Sequence, residues 1–192
     1  SSAALSGALA YNHLMNETDA RVGNVLLRGN DLLQVQALSA GDQIALGLGL
    51  SVATAGTDKN VAVSLSGSAA YMGNRTRALV ENSQVQQRQA APGQIAVNAY
   101  DRARVMLGGG AFAGSKGNGG SAGGSLVVGV LANTLAAEWL GSEASNFARM
   151  DVTAASASRV LAGALGGAVS TGSDSGAGAG SLLTLVLANK IQ

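Results

Sequence analysis

The chain has no cysteine and only one proline in 192 residues. Without cysteine it can form neither disulfides nor thiolate metal sites, so its stability has to come from backbone pairing and burial. Aromatic residues make up 3% and charged residues 12%, where an ordinary domain carries about 25% charged. A core must therefore be built from Ala, Val, Leu and Ile. That suits a thin interior of repeated layers better than a globular centre, which normally recruits several large rings. The twelve Lys and Arg and eleven Asp and Glu leave a net charge of +1 and are scattered. No basic run exists to track phosphates or an anionic membrane, so nucleic-acid binding is not expected. The longest apolar stretch, residues 126–137, contains Asn133 and Thr134 and falls well short of the ~20 residues of a transmembrane helix. The start, Ser1-Ser2-Ala3-Ala4, has neither Met nor a basic region. It reads as a fragment boundary with no targeting segment.

What the chain has in abundance is glycine, 28 residues, and repetition. The segment 4–11, Ala-Leu-Ser-Gly-Ala-Leu-Ala-Tyr, returns at 64–71 as Ser-Leu-Ser-Gly-Ser-Ala-Ala-Tyr, more loosely at 125–132, and again from Ser181. Self-similarity at a period of about 60 residues predicts a stacked array and argues against a fold with one centre. The whole of 1–192 reads as a single repeat array, with units at 4–63, 64–124 and 125–180 and a partial unit at 181–192.

Within each unit the apolar residues alternate. Leu33, Val35 and Ala37 are followed by Ile44, Leu46, Leu48, Leu50 and Val52; Ile95, Val97 and Ala99 by Ala103, Val105 and Leu107; Met150, Val152 and Ala154 by Val160, Ala162 and Ala164. Val61, Val63 and Leu65 alternate with Ala62, Ser64 and Ser66. A period of two places one set inward and the other on an outer face, which predicts strands. The spacing from Val35 to Ile44 is one residue longer than its counterparts and suggests a turn there. The run 126–131 does not alternate and reads as a strand covered on both faces. Helix competes only over 131–140, where Ala, Leu and Glu favour it. Gly-rich tails at 108–124 and 166–180 permit turns and close backbone approach. The expected fold class is all-β, a parallel solenoid in which each repeat makes two or three coils, with coils ~4.8 Å apart.

The residues also resemble a known family. Gly-Ser-Leu-Val-Val-Gly-Val-Leu-Ala-Asn at 124–133, Met-Asp-Val-Thr-Ala at 150–154 and Gly-Ala-Leu-Gly-Gly-Ala-Val-Ser at 163–170 are similar to repeats of large Gram-negative secreted exoproteins. These are the filamentous-haemagglutinin-like, two-partner-secretion and autotransporter adhesins. The resemblance spans essentially the whole chain, although the first unit lacks the long Gly tail. It implies a right-handed parallel β-helix, extracellular or on the outer-membrane surface, acting as a structural stalk that projects a binding or effector module. The implied partners are a host or bacterial surface receptor or glycan, and open coil ends favour end-to-end self-association. The alternatives are a self-assembling extracellular filament and a carbohydrate-active enzyme on the same scaffold.

Candidate sites are few. Asn12, Asn133 and Asn189 fall at matching places in three copies, with Met72 in the other, and could form a ladder of stacked amides. Trp139, between Glu138 and Glu143, is a candidate sugar-stacking ligand contact. Asn16-Glu17-Thr18 and Asn74-Arg75-Thr76 are glycosylation-type triplets on expected exposed connections. His13, the single histidine, has no visible triad or metal partners and reads as a turn residue. Stacking could bring Asp42, Asp101 and Asp151 together, but they are not at equivalent positions. No catalytic residue, cofactor or metal site is expected.

Overall fold

The computed structural model describes residues 2–29, 32–54, 59–87 and 93–192. Among them are thirteen strands and no helix. They are β1 (Ser2–Gly23), β2 (Leu26–Arg28), β3 (Leu32–Thr54), β4 (Asn60–Glu81), β5 (Gln84–Gln86), β6 (Gly93–Lys116), β7 (Gly119–Leu131), β8 (Thr134–Leu140), β9 (Glu143–Ser145), β10 (Phe147–Ser156), β11 (Arg159–Thr171), β12 (Ser175–Leu187) and β13 (Lys190–Ile191). Every pairing is parallel. β1, β4, β7 with β8, and β12 with β13 lie side by side in a first sheet. A second, narrow sheet holds β2, β5 and β9, and a third holds β3, β6 and then β10 with β11. The chain visits the three sheets in that order on each pass and then starts again one strand over.

One pass therefore uses a whole sequence repeat. Strands of 22 and 23 residues, roughly 75 Å of extended chain, take up almost all of it. The expectation of two or three coils per repeat is corrected accordingly. The predicted turn between Val35 and Ile44 is absent, because β3 runs unbroken through it. The competing helix at 131–140 is a strand, β8. In the first sheet the first two offsets are each two residues shorter than the sequence alignment gives, and the third agrees with it. Ser2 hydrogen-bonds Asn60 58 residues on, Asn74 bonds Asn133 59 on, and Asn133 bonds Asn189 56 on. Tyr11 consequently stands beside Ala69, not Tyr71.

The corners between the first and second sheets show how the sequence sets this winding. Asn24, Asn82 and Gly141 occupy matching corners with φ of 58°, 46° and 54°. Only Gly, and Asn more than most, adopts that left-handed conformation cheaply. The corners also stack. The Asn24 N–H donates to the Glu81 carbonyl (3.1 Å) and the Asn82 N–H to that of Leu140 (2.9 Å). The Ser83 N–H donates to the Ser142 hydroxyl (3.0 Å).

Inward side chains alternate with outward ones along every long strand, and the interior changes character along its length. Near the second sheet it is a true aliphatic core of Leu33, Val35, Val80, Val85, Ile95 and Val97. A second cluster contains Met72, Val105, Leu107, Val127 and Leu131. Farthest from the corners, only Ala53, Ala62 and Ala113 form a cluster. In that part the first and third sheets nearly touch. A Cβ built on Gly47 would come within 2.3 Å of the Gly67 carbonyl oxygen, and one on Gly123 within 2.1 Å of that of Gly167. Ordinary facing sheets stand about 10 Å apart, so only glycine fits at these positions.

The large residues in this thin part point outward. In β3 the interior set is Ala45, Gly47, Gly49, Ser51 and Ala53, while Ile44, Leu46, Leu48, Leu50 and Val52 are exposed. The reason is parity. The unbroken strand carries the odd-numbered inward set of Leu33, Val35 and Ala37 straight on. The run 126–131 is not covered on both faces either: Val127 is fully buried, but Leu126 is 47% exposed.

Candidate functional site

Three features could carry chemistry. The first is a polar layer between the two larger aliphatic clusters. Asp101, 2% exposed on β6, accepts from the Asn74 amide at Oδ1 (3.0 Å). Its Oδ2 accepts from the Ser158 hydroxyl (2.7 Å) and from the Asn133 amide. The amides also climb from strand to strand. The Asn74 N–H donates to Asn133 Oδ1 (3.1 Å), and the Asn133 N–H donates to Asn189 Oδ1 (3.3 Å). A buried carboxylate needs such donors to offset its desolvation. Buried and held by three side-chain donors, Asp101 ties β6 to Asn74 and Asn133 of the first sheet and to Ser158.

The structure thus brings Asn133 and Asn189 together, but their companion is Asn74, with Asn16 beside it in register. Asn12 stands two pairs before Met72, on the row of Ala70, and its amide donates to the Ile44 carbonyl. The signal that finds Asn74 is the match of Glu81-Asn82-Ser83 to Leu140-Gly141-Ser142, which sets the true offset. The exposed position expected for Asn74 is corrected: its side chain is 2% exposed inside the fold. Asn16 also points inward and is half-buried on the outermost strand. Trp139 packs partly buried against the first aliphatic cluster, and its indole N–H donates to the Ser142 carbonyl (2.9 Å). His13 is not in a turn. It lies mid-strand on the outer face, edge-on to Tyr71 with ring centroids 4.9 Å apart.

The second feature is the charged outer surface near the second sheet. Opposite charges alternate from strand to strand. Glu17 faces Arg75 at 3.6 Å, Arg21 meets Glu81, and Arg77 donates through Nε (3.0 Å) and Nη2 (2.6 Å) to Glu138. The Glu138 hydrogen bonds hold the Arg77 pKa above its ordinary value. On the third sheet the pattern breaks. Arg104 stands beside Arg159 in register, with Asp42 3.9 Å away and Arg102 next to Ala40. These residues line a cleft of about 580 Å³, whose net positive charge suits an anionic group. Asp42 and Asp151 face outward at different register positions and do not join Asp101. Among the described residues no three His, Cys, Asp or Glu side chains group to hold a metal ion.

The third feature is an apolar trough of about 780 Å³ across β1, β4, β7 and β12 of the first sheet, on its outer face. Its lining includes Gly7, Leu9, Leu65, Gly124, Leu126 and Leu182. Among the described residues no helix is long and apolar enough to cross a membrane. Comparison with protein-family models, curated proteins and solved structures finds no match to this chain.

Proposed function

We propose that this chain is a structural stalk segment of a bacterial surface or secreted adhesin, wound as a right-handed parallel β-helix and projecting a binding or effector module. One observation supports this above the others: each pass through the three sheets returns one strand over, with inward pairs such as Ala4 and Ala62, Ser6 and Ser64, and Asn16 and Asn74 in register, and strand hydrogen bonds run along the stacking direction. Such an array is quasi-one-dimensional. Each pass is held by its neighbours, and length is gained by adding passes. The Asn74–Asn133–Asn189 ladder and the stacked Asn corners act as register locks. In this reading the protein works by mechanical reach, outside the cell or on the outer membrane, and has no catalytic centre. The cleft of Arg102, Arg104 and Arg159 is the best-placed surface for an acidic glycan or receptor.

The test is adherence to host and bacterial surfaces by cells that display the parent protein, compared with cells lacking it. Loss of contact-dependent attachment is expected; unchanged attachment rejects the stalk reading. The filament alternative has one observation in its favour. β1 and β12 leave strand edges unpaired at opposite sides of the first sheet, and open edges template further pairing. It predicts concentration-dependent fibres by electron microscopy.

A further inference from the structure

We propose that the charge-free half of the first sheet's outer face is a docking surface for a second copy of this chain, joined face to face. This goes beyond the stalk reading and does not depend on it. The face shows an inversion of normal burial. Leu5 and Leu9 are 85% and 82% exposed, and Leu65 and Leu182 each 60%. Behind them the interior holds Ala62, Ser64, Ser66 and Ser68. Residues 2–14, 60–74, 119–137 and 175–189 contain no Asp, Glu, Lys or Arg. A solvated outer face would carry charge, as this same sheet does from Glu17 onward.

The patch has the size and shape for self-association. About eleven residues of extended chain across four strands cover roughly 700 Å² per copy, so two facing copies bury about 1,400 Å², within the range of stable interfaces. Ridge and trough lie on the same patch. Leu9 stands beside Gly67, and Leu65 beside Gly124, so knobs alternate with glycine hollows. A two-fold axis lying in the plane between the copies and running across the strands lets Leu5 and Leu9 of one copy enter the trough of the other, and the reverse, which is the self-complementarity of an isologous dimer. Hydrocarbon is the poorer occupant. The unpaired edge of β1 borders the patch, and lipid cannot satisfy backbone N–H and C=O groups.

Sedimentation velocity on the full chain over a wide concentration range tests this. Wild type should pass from monomer to dimer as concentration rises. Leu9→Lys with Leu182→Lys should shift the midpoint at least 100-fold upward, with an unchanged circular dichroism spectrum because both side chains point outward. Since the chain lacks cysteine, Leu9→Cys gives a unique thiol that should cross-link between copies on oxidation, while Gln34→Cys on the polar part of the third sheet should not. The proposal is overturned if wild type stays monomeric throughout, if the double Lys variant assembles like wild type (association then runs through strand edges), or if phosphatidylcholine vesicles capture the monomer. None of these results bears on the adherence test.

Discussion

The two halves of each pass are built on opposite plans. Near the second sheet, large aliphatics such as Ile95 and Val97 fill the interior and alternating charges cover the outside. Farther along the same strands, glycine, alanine and serine fill the interior and the leucines face out. The hydroxyls of Ser66, Ser68 and Ser125 there are buried without a hydrogen-bond partner in the protein. The first half is held by apolar burial, which is worth ~25 cal/mol per Å². The second gains little from its interior and depends on strand pairing and on close contact between two backbones. The comparison teaches that a continuous parallel ladder can carry a segment with almost no core of its own, and that such a segment presents the apolar surface it could not bury.

Substitutions that reverse these plans should sort by half. The largest effect is expected from Gly47→Val in the thin half. Its side chain would occupy the space of the Gly67 carbonyl, which cannot move without parting the sheets. Loss of the cooperative urea transition is expected, and a wild-type midpoint would show that the sheets stand farther apart. Next comes Asp101→Ala, which strands the Asn74 amide and takes one acceptor each from the Asn133 amide, which keeps Ser158, and the Ser158 hydroxyl, which keeps Ser156. A loss of about 3 kcal/mol is expected from equilibrium denaturation, each buried unpaired group costing ~1–3 kcal/mol. A loss below 1 kcal/mol would mean that the layer tolerates an unpaired gap. The smallest effect sharpens the contrast most. Ile95→Ala should cost about 3 kcal/mol, whereas Leu48→Ala, which removes a similar volume from the outside, should stay within ~0.5 kcal/mol at concentrations where the chain is monomeric. Equal losses would show that the outer face of the third sheet is covered within a single copy.

Much of the winding is legible in the residues. The period announces a stacked array, and the alternation of Leu33, Val35, Ile95 and Val97 identifies inward positions. The ladder is legible only in part. Asn133 and Asn189 can be paired from the Gly-Ser-Leu motifs that precede them, but aligning Tyr11 with Tyr71 shifts the first pass by two residues and hides Asn74. A shift of two preserves parity, so the hydrophobic pattern alone cannot detect it. The corners decide the register, because Asn24, Asn82 and Gly141 must coincide for the turns to stack. Asp101 gives no local sign of its role, since its partners come from β4, the β7–β8 junction and the β10–β11 junction.

By itself, then, the sequence determined that this protein is built of repeated parallel-compatible strands with small side chains, because period and alternation are local properties of the chain. Which face of each strand looks inward along its far half, and which carboxylate is sealed among amides, was decided only in three dimensions. Parity is inherited from the neighbouring half of the same strand, and a buried charge is tolerated only where several passes supply its donors at once.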